Sequence, residues 1–267
     1  MKKRLFKWLK VLLIIYCIVG IALYFFQEQL LLRPTALPAD YKYSFGIAYK
    51  EVNIDYNAST KFNIIQFQPT YANAKVVLYF HGNKENINHY AVFAGNFTKQ
   101  GYAVWMCDYP GYGKSTGIIN EAILYKEALE VYKLASKEFM PENIVIYGKS
   151  LGTGIAAQLA STQPCKRLIL ETPYCNIASL AKRYAWMYPV SYFSKYKIPT
   201  TEYLKAMKVP ISIFHGTEDG VIPYKHAIQL KAAIKATDEF ITIPNGSHNN
   251  LNDFPLFHQK LDSLLVH

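Results

Sequence analysis

Gly148-Lys149-Ser150-Leu151-Gly152 sets one hydroxyl between two glycines, each two residues away. That spacing suits a nucleophile on a sharp strand-to-helix turn. Small neighbours let the backbone bend, the hydroxyl is presented, and the first amides of the next helix point at the reacting atom. The blander use of the same residues is a helix cap by Ser150. A serine is a weak nucleophile unless a base lies within hydrogen-bond reach and a third group orients that base. His248 stands in the polar loop Asn245-Gly246-Ser247-His248-Asn249-Asn250. His81 and His215 each follow an apolar run in a His-Gly pair, whereas His226, His258 and His267 fall in or beyond helical patterns. For the acid, Asp219 lies in His215-Gly216-Thr217-Glu218-Asp219-Gly220, with Glu218 and Glu171 as rivals. Ser150, Asp219 and His248 in that chain order imply acyl transfer through an acyl-enzyme. The tetrahedral intermediate needs two donors. The Leu151 amide supplies one, and the Asn83 amide in His81-Gly82-Asn83-Lys84 supplies the other, with Gly82 allowing close approach.

These residues need a frame that brings them to one edge. The run 75–80 (KVVLYF) is nearly continuous in apolar residues, as in a strand buried on both faces. The same texture recurs at 102–107, 143–147, 167–170, 210–214 and 239–243. Helical patterns alternate with these runs at 121–139, 150–162, 224–235 and 251–266, while 47–55 and 61–68 read as a two-strand hairpin. Strand alternating with helix predicts an α/β fold with a mostly parallel central sheet flanked by helices. The stretch 172–208 breaks the alternation. It is rich in Tyr, Trp and Phe, holds Pro173, Pro189 and Pro199, and is too long for an ordinary connection. It is expected to be a cap insertion over the carboxyl ends of the strands, where open α/β sheets bind ligands. A surface subdomain with its own small core is the alternative.

The chain has 267 residues, 51% apolar and 18% charged, which supplies one sizeable core and argues against long disorder. The formal charge is +10, yet five cations (Lys2, Lys3, Arg4, Lys7, Lys10) crowd the start and no acid precedes Glu28. With no basic recognition helix or zinc-finger spacing, nucleic-acid binding is not expected. An uncharged run, 11–26, follows the cations and spans about 24 Å as a helix, against roughly 30 Å of hydrocarbon. No small-x-small cleavage site follows it, so residues 1–29 are expected to be a basic cytoplasmic tail and an uncleaved signal-anchor helix. The remainder, 30–267, is then the translocated catalytic domain. Gly113-Lys114-Ser115 and Gly148-Lys149-Ser150 look like the ends of phosphate-binding loops. Asp108 and Asn143 occupy the positions where such loops need glycine, so nucleotide hydrolysis is rejected. Cys17, Cys107, Cys165 and Cys175 form no CxxC pair, so no metal site is expected. They read as inert thiols, with a Cys165–Cys175 disulfide as the alternative.

The motifs His81-Gly82-Asn83, Asp108-Tyr109-Pro110-Gly111-Tyr112-Gly113-Lys114-Ser115, Gly148-Lys149-Ser150-Leu151-Gly152, His215-Gly216 with Asp219, and Gly246-Ser247-His248 together resemble the α/β-hydrolase superfamily, in particular its membrane-anchored serine hydrolases. The short anchor with Leu30-Leu31-Leu32-Arg33-Pro34 is similar to a subgroup of lysophospholipid lipases and protein depalmitoylases. The resemblance implies a hydrolase of acyl esters or thioesters of small-molecule or lipid origin, needing no cofactor, on the periplasmic side of a bacterial inner membrane. A serine peptidase of the same fold and a membrane-tethered binding protein are the alternatives. One departure stands out: Thr153 occupies a position where the resemblance commonly carries a second glycine. The oligomeric state is not legible.

Overall fold

A computed structural model describes residues 2–71 and 74–266. Helix α1 (Lys2–Leu31) runs unbroken for 30 residues with no buried side chain. At 1.5 Å per residue it is about 45 Å long, so it extends beyond the 11–26 run at both ends. The extension is chemical: Gln27, Glu28 and Gln29 are good helix formers and continue what the apolar run begins. After α1, Arg33–Pro34 pairs in parallel with Lys84–Glu85 in a small ribbon.

The main sheet has eight strands: β1 (Tyr49–Asp55), β2 (Lys61–Phe67), β3 (Val76–Phe80), β4 (Ala103–Asp108), β5 (Ile144–Lys149), β6 (Arg167–Glu171), β7 (Ile211–Gly216) and β8 (Glu239–Ile243). Their spatial order is 8-7-6-5-3-4-2-1. The β1–β2 and β2–β4 pairings are antiparallel and the rest are parallel, so the sheet is mixed and mostly parallel. Strands β3 to β5 are buried along their whole length, as their continuous apolar texture requires. Chain direction across the sheet reverses around β3. The loops after β3 and β5 therefore open side by side at the carboxyl edge.

Helices cover both faces. The segment 87–98, which hydrophobic periodicity leaves unassigned, forms α2 (Ile87–Tyr90), a 3₁₀ turn (Ala91–Ala94) and α3 (Gly95–Thr98). Each piece is too short to give a 3.6-residue signal. Helix α4 (Glu121–Ala135) stops short of the expected 139, and α5 (Leu151–Thr162) follows β5 directly. The 172–208 stretch carries α6 (Ile177–Ala181), α7 (Val190–Phe193) and α8 (Thr200–Lys205). The expected helix 224–235 divides into α9 (Tyr224–Ala227) and a 3₁₀ turn. The expected helix 251–266 starts late, as α10 (Pro255–Val266), because Pro255 cannot continue the 3₁₀ turn before it but suits a first helical position. Cys17, Cys107, Cys165 and Cys175 are free thiols, so the alternative disulfide does not form. His267 lies outside the described residues.

One core residue departs from the pattern. Glu127 on α4 is fully buried, and neither carboxyl oxygen meets a partner among the described residues. Burial above all, and then the nearby Asp108, pushes its pKa well above the ordinary 4.5. The folded state therefore holds a proton that the unfolded chain has already released at neutral pH, and stability declines as pH rises above the ordinary carboxylate value of 4.5. Glu127→Met removes the unpaired group at similar length. We expect it to stabilise the protein at pH 7 by about 1–3 kcal/mol, with a smaller gain at pH 5, measured by chemical unfolding at the two pH values.

Candidate active site

Strand β5 ends at Lys149, and Ser150 then takes φ 51° and ψ −117°, a left-handed conformation that few side chains adopt. Its amide donates to the Glu171 carbonyl at 2.9 Å, and α5 begins at the next residue. The turn is tight enough to demand both flanking glycines. A Cβ on Gly148 would lie 2.4 Å from the Gly152 carbonyl oxygen, and one on Gly152 would lie 2.0 Å from that of Phe80. Thr153, where the resemblance commonly has glycine, is fully buried, and its hydroxyl donates to the Ser150 carbonyl at 2.6 Å. The departure thus adds a bond across the turn. Ser150 does not cap α5 with its side chain. Its Oγ lies 2.9 Å from His248 Nε2 instead.

His248 reaches that position from the loop after β8, and its Nδ1 lies 2.8 Å from Asp219 Oδ2. A carboxylate only accepts, so Nδ1 carries the proton and donates to Asp219. Nε2 is then the acceptor for the Ser150 hydroxyl. The two loops brace each other: the Glu218 amide donates to the Gly246 carbonyl at 2.9 Å, and the Asn245 amide to Thr217 Oγ1 at 2.9 Å. Asp219 Oδ1 accepts the Val221 and Ile222 amides at 2.9 and 2.7 Å. Burial pulls the Asp219 carboxyl upward, but the His248 hydrogen bond and charge, the Ile222 amide and His215 together outweigh it. Its pKa falls below the ordinary 3.8, and it is ionised at neutral pH. Asp219, Ser150 and His248 are all at least nine-tenths buried.

The rivals go elsewhere. Glu218 is exposed, and Glu171 receives the Lys149 ammonium and the Tyr147 hydroxyl. His215 is fully buried, its Nε2 3.5 Å from Asp219 Oδ2 and 2.8 Å from the Ile222 carbonyl; burial lowers its pKa, so it is a neutral support behind the acid. His81 and Asp108 make a second buried imidazole–carboxylate contact at 3.3 Å. That pair fixes a loop: His81 Nδ1 is 2.7 Å from the Gly82 carbonyl, and Asp108 Oδ1 accepts the Ile87 amide at 2.9 Å.

Gly82 brings the β3 loop against the turn, since a Cβ there would stand 3.6 Å from Ser150 Cβ. Among the described residues the Asn83 amide donates to no acceptor. Leu151, first residue of α5, has an amide without an intrahelical partner by position. The Asn83 carbonyl accepts from the Tyr112 hydroxyl at 2.8 Å, and the His81 carbonyl from the Tyr109 hydroxyl at 2.8 Å, so the 108–113 turn braces this loop. A cavity of about 500 Å³ lies between 179–183 and 223–229, lined by Leu180, Arg183, Pro223 and His226 among others. None of Ser150, Asp219 and His248 lines it, and the hydrogen-bonded series rather than this hollow marks the site.

Residues 71–203 match the family described as serine aminopeptidase, S33. That segment contains Asn83, Ser150 and Leu151 and ends before Asp219 and His248. The chain is 28% identical over 192 residues to the alpha/beta hydrolase domain-containing protein aho-3 of Caenorhabditis elegans, covering 71% of this chain and 57% of that one. It is 30% identical over 197 residues to the human alpha/beta hydrolase domain-containing protein 17B, covering 72% and 66%. Among solved structures, an esterase of Pyrococcus furiosus superposes with a TM-score of 0.68 at 18% identity, covering 88% of this chain and 97% of that one.

Sequence reading missed the Lys149–Glu171–Tyr147 cluster directly beneath the turn. No local signal could have found it, because Lys149 and Glu171 meet only through the side-by-side placement of the two parallel strands they close. Both are nearly fully buried. Breaking such a pair leaves an uncompensated buried charge. Lys149→Met alone is expected to destabilise by roughly 3–5 kcal/mol. Adding Glu171→Gln should recover most of the loss, as read by chemical unfolding of both variants.

Proposed function

The chain belongs to the α/β-hydrolase superfamily, and from that premise we propose that it is a serine hydrolase cleaving acyl esters or thioesters of lipid origin. The observation that carries this reading is the continuous series Ser150 Oγ–His248 Nε2–Asp219, at 2.9 and 2.8 Å. Ser150 attacks the acyl carbonyl while its proton passes to Nε2 of His248. Asp219, ionised, holds the tautomer that leaves Nε2 free to accept and stabilises the imidazolium that forms. The Leu151 and Asn83 amides stabilise the oxyanion. Collapse of the intermediate breaks the bond to the leaving alkoxide or thiolate, which takes the proton from His248. Water then attacks the acyl-enzyme with His248 again as base, releasing the acid and restoring Ser150.

The lipid part of the proposal rests on α1. It is long and apolar enough to cross a membrane, with a mean hydropathy of 2.5 in its most apolar window. The five leading cations favour a cytoplasmic tail, which puts 30–267 as the catalytic domain on the opposite, periplasmic face. In this reading 172–208 is a cap over the site. The match to serine aminopeptidases favours one second reading, a peptidase on the same residues. Rates on p-nitrophenyl esters against aminoacyl amides separate the two, and preference for amides would replace the esterase reading.

Three outcomes are expected. A fluorophosphonate labels the wild-type protein and leaves Ser150→Ala unlabelled, with hydrolysis down roughly 10⁶-fold. Asp219→Asn lowers kcat by roughly 10⁴-fold while the fold persists, because the wrong imidazole tautomer is then favoured. On the acid side kcat/KM takes no second proton from Asp219 above the ordinary carboxylate value of 3.8, because its carboxyl is held below that value. Labelling of Ser150→Ala, or a two-proton acid limb, would refute the assignment.

A further inference from the structure

The 172–208 insertion exposes an aromatic edge to its surroundings. Trp186 is 72% and Tyr192 86% exposed, and Tyr184, Met187 and Phe193 join them. A contiguous patch of this kind on a folded domain marks an interaction surface. Its position identifies the occupant. Tyr188 stacks on Tyr16 of α1 with ring centres 4.5 Å apart and planes 7° from parallel. The Tyr16 hydroxyl donates to the Met187 carbonyl at 2.8 Å, and the Tyr188 hydroxyl donates to the Tyr16 carbonyl at 3.1 Å. One turn further along α1, Gly20 makes room for the same ring, since a Cβ there would lie 3.0 Å from Tyr188 Cε1. Below these, Gln27 bonds to the Phe193 carbonyl and the Lys195 amide. Tyr16 and Gly20 both fall within the uncharged 11–26 run. A bilayer that covers this run also covers whatever is stacked on it.

We propose that the 184–193 edge is a bilayer-docking surface, lying against α1 from the middle of its uncharged run to Gln27 at the run's end and facing phospholipid with anionic headgroups. This rests on reading α1 as membrane-crossing. Two further features suit it. Much of the backbone of the edge is paired: the amides of Tyr184, Ala185, Tyr188, Tyr192 and Ser194 donate within three or four residues, and the Met187 and Phe193 carbonyls accept from α1. The charge is also one-sided. No acid lies between Glu171 and Glu202, while Lys182, Arg183, Lys195 and Lys197 flank the aromatics; Lys195 is paired with Glu28 of α1 at 3.8 Å, and the remaining cations are of the sign that an anionic surface attracts. At Gln27, where the uncharged run ends, the edge presents Phe193 and Lys195, an aromatic ring and a cation of the kind favoured at the headgroup level. The root of the insertion reaches the site, where the Tyr174 hydroxyl donates to the Leu151 carbonyl at 3.1 Å. Docking would bring acyl chains in the leaflet to the mouth of the site without passage through water.

Spin labels read depth directly. In a Cys17→Ser background, labels are placed at Trp186→Cys and Tyr192→Cys, with Leu12→Cys on α1 and Met140→Cys, before β5 at the opposite edge of the sheet, as references. The full chain is held in nanodiscs of phosphatidylcholine and phosphatidylglycerol. Positions 12, 186 and 192 should collide mainly with oxygen, and position 140 mainly with a water-soluble nickel chelate. Aqueous behaviour at 186 and 192 with lipid behaviour at 12 overturns the docking surface and leaves the anchor standing. Aqueous behaviour at 12 overturns the anchor, and the docking surface with it. The double variant Trp186→Ser/Tyr192→Ser gives an independent reading. Hydrolysis of a long-chain ester dispersed in anionic vesicles should fall at least about tenfold, with p-nitrophenyl butyrate hydrolysis unchanged. An equal loss on both substrates would mean that the edge supports the fold and does not dock to lipid.

Discussion

The close approach of α5 to the ends of β3 and β5 is the constraint on which the site depends. Ser150 sits at φ 51°, a conformation that costs on the order of 1–3 kcal/mol for a residue with a side chain. It persists because the first turn of α5 is wedged against the Phe80 and His81 carbonyls, with no room for any residue but glycine at position 152. The helix behind it is buried over Leu151 to Ala157, so a large apolar contact holds the strained residue in place. The strain has a geometric result. It keeps Ser150 Oγ from capping its own helix and aims it at the loop after β8.

The carboxyl edge gathers several carboxylates, and their surroundings sort them. Asp219 meets two backbone amides and an imidazole, so its charged form is favoured despite burial. Asp108 is fully buried with fewer donors, and burial, only partly opposed by His81, raises its pKa. Glu171 is consumed by Lys149 and Tyr147. Of these acids only Asp219 combines ionisation with contact to an imidazole that also reaches a hydroxyl. A triad is therefore not a matter of three residue types at one edge. The donor count around each acid decides which one can orient a base.

Much of this was legible in the sequence, for identifiable reasons. Strands β3 to β8 announce themselves by runs of apolar residues that only a sheet buried on both faces needs, and each ends within two residues of its expected limit. Gly148 and Gly152 are legible because the turn excludes a Cβ at both positions. What was not legible falls into two kinds. The 87–98 helices are single turns, below the length at which periodicity carries information. The second kind is pairing at a distance. The Lys149–Glu171 contact and the His81–Asp108 contact depend on which strands lie side by side, and strand order is not written in local composition.

The same dependence on order explains how α1 and the site come to share a frame. The chain leaves α1 at Leu31, whose carbonyl accepts from Asn83 Nδ2 at 2.5 Å, and the Arg33 amide then donates to the Asn83 carbonyl at 2.8 Å. Tyr112, from the turn after β4, donates to that same carbonyl. Asn83 thus spends its side chain and its carbonyl on the root of α1 and on the neighbouring turn, and its amide donates to no acceptor among the described residues. A flexible tether would let the domain tumble beneath the helix. This ribbon, with Arg33–Pro34 paired to Lys84–Glu85, fixes the β3 loop to the end of α1. The end of α1 and the loop that carries Asn83 therefore move as one piece with the strand-to-helix turn that Gly82 approaches.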